Sequence, residues 1–147
     1  MIEYSLEAPH TLKEYFQGNL ERHVADIKDK SLYAETCVNW ELYEEMSREG
    51  LCYAAIAREN GDIVGYNIYI LTADWNKNDE VMASDVAMFI EKKYRGRLII
   101  DFITQCDMLL RRIEVKRVIR SFCDERLGKI LDKAGYMPRS ITKSKTL

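Results

Sequence analysis

Ile2, Tyr4 and Leu6 alternate with polar residues, and this period of two predicts a first strand that ends at Pro9. The period then changes. Leu12, Tyr15, Phe16, Leu20, His23, Val24 and Ile27 recur at helical spacing, behind Thr11 as N-cap and Glu14 as its capping-box partner. Residues 31–50 predict a second helical region, in which Trp40, Tyr43 and Met46 lie three apart and Gly50 is a natural stop. The apolar runs 51–57 and 63–71 flank Asn60-Gly61-Asp62, where Asn and Gly tolerate positive φ, so a hairpin is expected. A polar loop over 74–79, centred on Trp75, leads to a strand over 81–90 and then to a basic turn, 92–97 (KKYRGR). Ile99, Phe102, Ile103, Cys106, Leu109, Leu110 and Ile113 form the apolar face of a following helix. Val115, Val118, Ile119, Phe122 and Cys123 predict another strand. Leu127, Ile130, Leu131 and Ala134 predict a short helix closed by Gly135, and Tyr136, Met137 and Ile141 a tail strand.

This order of elements, in 147 residues of which 47% are apolar, predicts one mixed α/β domain spanning 1–147. The charge content of 31% argues against disorder and coiled coil alike. A net charge of −2 argues against general nucleic-acid binding. No apolar run approaches the ~18 residues of a membrane span, and the N-terminus shows no basic stretch before an apolar core, so a cytoplasmic protein is expected. Cys37, Cys52, Cys106 and Cys123 lie far apart without a CxxC, which reads as reduced, mostly buried thiols and argues against a zinc site.

The candidate chemistry lies around the basic turn. A strand, a basic glycine-containing turn and a helix start place free backbone N–H groups and the positive end of a helix dipole where an anion can reach them. Asp85 interrupts an otherwise apolar strand, where burial would raise its pKa. His23 sits on an apolar stripe and reads as a core or boundary histidine, Cys123 as a buried structural thiol, and the Trp40–Tyr43–Met46 stripe as packing or as one wall of an acceptor cleft.

Three motifs resemble the GNAT N-acetyltransferase family. Ala57 to Tyr66 (AREN-GDIVGY) looks like its hairpin. The strand over 81–90 followed by Tyr94-Arg95-Gly96-Arg97 is similar to its acyl-CoA loop. Leu127-Gly128 to Gly135-Tyr136 resembles its late helix. The look is closest to small GNAT-like proteins of phages and prophages. The resemblance implies a central mixed, mostly antiparallel sheet flanked by helices, acetyl-CoA as co-substrate with no metal, and a small-molecule or protein amine as acceptor. It places the pyrophosphate on the turn formed by Tyr94, Arg95, Gly96, Arg97, Leu98, Ile99 and Ile100. It places the pantetheine arm along Met88, Phe89 and Ile90, where two strands splay, and the attacking amine across that gap. That makes Asp85 the first candidate for a general base or for acceptor binding and Glu80 the second, the alternative being that Asp85 only accepts hydrogen bonds from backbone or Ser84. The chain departs from the family pattern in three places. Leu98 and Ile100 stand where glycines are usual, unless the loop is shorter and Gly96 serves the phosphates. Leu131 stands where many members carry a tyrosine that protonates the thiolate, leaving Tyr136 or Tyr94 as substitutes, and Asp124 falls near a frequent asparagine. Two readings result, a working N-acetyltransferase or a degenerate domain used for binding or associated with a virion. The C-terminal strand is an edge through which a homodimer could pair.

Overall fold

Asn60 and Gly61 both take positive φ, 53° and 90°. That is the mirror-image turn whose twist suits two antiparallel strands. From it run β2 (Cys52–Glu59) and β3 (Asp62–Ala73). The computed structural model describes residues 1–25, 38–74, 77, 79–96, 98–122 and 125–138, with backbone alone over 20–25. β1 (Ile2–Glu7) pairs antiparallel with β2, β4 (Val81–Ile90) antiparallel with β3, and β5 (Val115–Ile119) parallel with β4. The sheet order is therefore β1-β2-β3-β4-β5, mixed and mostly antiparallel as expected. The helices are α1 (Lys13–Ala25), α2 (Trp40–Arg48), α3 (Ile99–Arg112) and α4 (Glu125–Lys133). No helix among the described residues is long and apolar enough to cross a membrane.

Strand alternation sorts the core into two layers. Ala55, Ala57, Tyr69, Leu71 and Ala83 face α3, where they meet Phe102, Cys106, Leu109 and Leu110. Ala54, Ile56, Tyr66, Ile68 and Phe89 face the other way, against Leu12 and the rings of Tyr15, Phe16, Trp40 and Tyr43. Phe16 and Trp40 meet edge to face at 5.2 Å, so the aromatic stripe of α2 packs against the sheet.

The pairing of β3 with β4 is irregular at one point. Tyr69 lies opposite Asp85 and Ile68 opposite Ala87, so Val86 has no partner on β3. It is the extra residue of a β-bulge and is 47% exposed. The bulge inverts the alternation of β4. Ala83 and Asp85 lie across from Leu71 and Tyr69 on the α3 layer, whereas Ala87 and Phe89 lie across from Ile68 and Tyr66 on the α1/α2 layer.

The helix after the basic turn begins at Ile99, where its apolar face was expected to start, with Leu98 as a cap that makes no side-chain bond. Three local expectations need correcting. Thr11 is not an N-cap in a capping box; it lies in a 3-10 turn, Pro9–Leu12, and its hydroxyl donates to Ala8 O at 2.8 Å. β5 ends at Ile119, and Phe122 is 53% exposed beyond it, its ring lying over the Cβ-less face of Gly128. Tyr136 and Met137 are not strand, because the chain leaves α4 through Gly135 at φ 89° with Tyr136 N–H donating to Leu131 O. Cys37, Trp75, Arg97, Cys123, Asp124 and Ile141 lie outside the described residues, as do the side chains of Leu20, His23 and Val24. Cys52 and Cys106 are buried free thiols, pushed up by burial to about 11 and about 12.

Candidate active site

The β4–β5 ladder runs only from Val81/Val115 to Ser84/Ile119. β5 ends at that pair, and the bulge at Val86 bends β4 beyond it. The two strands part. Over Asp85 to Ile90, β4 is paired to β3 on one side and to no strand on the other among the described residues. Such an edge offers backbone N–H and C=O groups to an extended, amide-bearing ligand. Met88, Phe89 and Ile90 all lie on this stretch, beyond the β4–β5 ladder.

Asp85 stands at the apex of the fork. Its Oδ1 accepts the Ser121 N–H at 2.9 Å, so the carboxylate bridges β4 to the chain leaving β5. Burial raises the pKa of Asp85, opposed by the Ser121 amide and by Arg120. Both sequence readings of Asp85 therefore keep something. It does accept a backbone hydrogen bond, and it is also a desolvated carboxylate at the mouth of a cleft. Glu80 is elsewhere. It precedes β4, holds Lys77 Nζ at 3.6 Å, and lies five residues before Asp85, roughly 17 Å along an extended strand. The structure does not bring the two candidate acids together.

The basic turn folds as a 3-10 turn, Lys92–Tyr94, that passes into α3. The Leu98 N–H donates to Tyr94 O at 3.1 Å, and the Phe102 N–H to Leu98 O at 2.7 Å. The loop is thus the shorter of the two alternatives. Leu98 turns inward over a small apolar cavity lined by Ile2, Tyr4, Ile90, Tyr94 and Phe102, Ile99 packs on the α3 layer, and Ile100 is 42% exposed. Leu98 therefore faces this cavity beneath the turn. A Cβ on Gly96 would meet nothing within 4 Å, so there is open space in front of its backbone. The cap residue Leu98 makes no side-chain bond to the first turn of α3, whose leading N–H groups have no partner within the helix and suit a ligand or water. Lys92 and Lys93 are exposed beside it. Asp101, in that same turn, is turned away to accept from Tyr4 Oη at 2.6 Å. Arg95 has a partly structural role: its Nε donates to Ile90 O at 2.7 Å and its guanidinium lies 5.4 Å over the Phe89 ring. Tyr94 Oη donates to Glu59 and so braces the turn against the hairpin.

Residues that the sequence reading did not single out complete the site. Arg120, the residue after β5, is buried with 2% of its side chain exposed. It donates to Tyr136 Oη at 2.8 Å, to Tyr69 Oη at 2.7 Å, to Asp107 Oδ1 at 3.0 Å and to Asn67 Oδ1. Asn67, fully buried on β3, donates in turn to Ala87 O at 2.9 Å, beside the bulge. A polar Asn in the run IVGYNIYIL was the available signal; Arg120 sits in a charged stretch and gives none. Leu131 is 3% exposed and part of the core.

The described elements form the GNAT fold. A crystal structure of an aminoglycoside acetyltransferase from an uncultured soil metagenomic sample, in complex with sisomicin, matches with a TM-score of 0.75 at 13% identity, over 99% of this chain and 96% of that one. The ribosomal-protein-alanine N-acetyltransferase of Brucella melitensis biovar Abortus 2308 matches at 0.72 and 12%, over 100% and 99%. A GNAT family acetyltransferase of Staphylococcus aureus matches at 0.69 and 11%, over 99% and 98%. At these identities the likeness is one of fold. No family model matches the chain, and neither does any curated protein.

Proposed function

We propose that this chain is an N-acetyltransferase that moves an acetyl group from acetyl-CoA to an amine. The observation that carries the reading is the fork itself: a β4 stretch from Asp85 to Ile90 beyond the β4–β5 ladder, leading to a helix start whose cap residue makes no side-chain bond, beside exposed lysines. An extended amide chain suits the edge, and a diphosphate suits the turn. The co-substrate supplies a thioester, whose acyl carbon forms the new C–N bond as the C–S bond breaks. The backbone of Met88, Phe89 and Ile90 orients the arm. The N–H groups over 96–101, with Lys92, Lys93 and Arg95, hold the anionic end. Asp85 takes the proton that the attacking amine loses. The neighbours' acceptors, by their names an aminoglycoside and a ribosomal protein, make a cationic amine the natural first class to screen.

The test is the melting temperature with and without millimolar acetyl-CoA, repeated with free CoA. A ligand at ~100 times its dissociation constant adds ~2.7 kcal/mol, a rise of several degrees for a domain of this size. No rise with either ligand would remove the transferase reading. Arg95→Glu is expected to do two things at once. It should weaken acetyl-CoA binding about tenfold or more, by losing a charge-assisted contact. It should also lower the melting temperature by a few degrees, because Ile90 O and the Phe89 ring lose their partner. Titration calorimetry and a melt separate the two, and unchanged affinity would take Arg95 out of the site.

A further inference from the structure

We propose that Arg120 is the positioning residue of the fork: from the α3 layer it fixes where β4 and β5 part and holds the carboxylate of Asp85 at that point. This deepens the transferase reading and rests on it for what the fork is used for.

A buried guanidinium is expensive, and an apolar side chain of similar size often serves stability as well or better. The charge therefore invites an account beyond packing. Its partners come from separate parts of the chain: Asn67 and Tyr69 on β3, Asp107 on α3, and Tyr136 just after α4. Tyr136 Oη also donates to Asp107 Oδ1 at 2.6 Å, and Tyr69 Oη to Asn67 Oδ1 at 2.5 Å, so the groups form one closed network. Two arms of that network reach the fork. One runs through Asn67 to Ala87 O, on the far side of the bulge. The other is the backbone: Ser121, whose N–H holds Asp85, is the next residue, so anchoring Arg120 anchors the amide. The bulge is thus held on both sides, at Asp85 and at Ala87, from a single side chain.

The same placement gives Arg120 an electrostatic role. The titratable groups around the guanidinium are Tyr69, Cys106, Asp107, Tyr136 and Asp85. Burial works against its charge, but the carboxylate of Asp107 and the hydrogen bonds to Tyr69 and Tyr136 favour it, and Arg120 stays protonated. Cys106 and Tyr69 are pushed up by burial and stay neutral. Asp107 neutralises part of the guanidinium charge, and the remainder favours the carboxylate form of Asp85.

The experiment is a carboxyl titration of Asp85 by NMR, assigned with Asp85→Asn, in the wild type, Arg120→Lys, Arg120→Met and Asp107→Asn. Arg120→Met should raise the Asp85 midpoint by about one pH unit. Arg120→Lys should bring it most of the way back, because the charge returns although the fork geometry of the donors does not. Asp107→Asn should move it down, because the guanidinium loses its neutralising partner. That opposite sign is what a merely structural role would not give. It also decides the matter if Arg120→Met does not fold. An Asp85 midpoint that stays at the wild-type value in the folded variants overturns the inference. The acetyl-CoA melt on the same wild-type sample keeps the two ideas apart. A ligand shift with an immobile Asp85 midpoint sinks the role of Arg120 alone. A moving midpoint without a ligand shift sinks the transferase reading and leaves Arg120 positioning Asp85.

Discussion

Asparagine in place of Asp85 is expected to lower turnover by about 10²–10⁴-fold and to leave the fold intact. The substitution keeps an oxygen that can accept the Ser121 N–H, so the bridge from β4 to the end of β5 survives. What it removes is the base. The pH dependence has a definite sign. Burial raises the folded-state pKa of Asp85, so the wild type should lose activity as pH falls through that raised value. The variant's loss should be largest just above that value, where the wild-type carboxylate is ionised and the amine still needs deprotonating, and should shrink both below it and at alkaline pH, where more of the amine is already neutral. Stability should respond in the opposite sense. Relative to the ionised form, Asp85 contributes stability fully present below its unfolded pKa and lost as pH rises through the folded one. The variant should therefore melt no lower than the wild type above that window. The measurement is kcat/KM against pH for both proteins. Parallel profiles would mean that Asp85 is only the bridge.

The second large effect concerns stability. Asn67→Ala should cost about 3 kcal/mol, because Arg120 and Tyr69 each lose a buried acceptor and Ala87 O loses its donor. For a chain of this length that corresponds to a fall of roughly 10 °C in melting temperature. Asn67→Asp tests the cause, since it keeps an acceptor for Arg120 and Tyr69 while giving up the donor to Ala87. It should recover part of the loss. A drop of only a degree or two in Asn67→Ala would show that the network contributes little and that Asn67 is replaceable core.

Much of the sheet was legible from period alone. Ile2, Tyr4 and Leu6, the Asn60-Gly61 turn and the two runs beside it gave β1, β2 and β3 because one-sided burial writes a period of two into the chain. The apolar face of α3 was equally plain, and its residues are those that pack on the sheet. Local signals failed where a side chain had more than one available partner. Thr11 offers its hydroxyl to Ala8 O instead of capping a helix, and Tyr136 sends its own to Asp107 instead of continuing a strand. The turn shows both outcomes. Its basic character was readable, but whether Leu98 crowded an anion or filled the core depended on where α3 began, and that is set by the space beneath it.

By itself the sequence determined the order of the described strands and helices from β1 to α4, the strand–turn–helix unit at 81–112 and the exceptional place of Asp85 in an apolar run, since each of these is a matter of local spacing and polarity. Only the tertiary structure decided that β4 bulges at Val86, that Asp85 and Glu80 stand apart, and that Arg120 lies beneath the fork among Asn67, Tyr69, Asp107 and Tyr136. The physical reason is the same in each case. Register across a sheet and the meeting of residues far apart in the chain are set by how the elements pack together, and no single stretch of the chain carries that information.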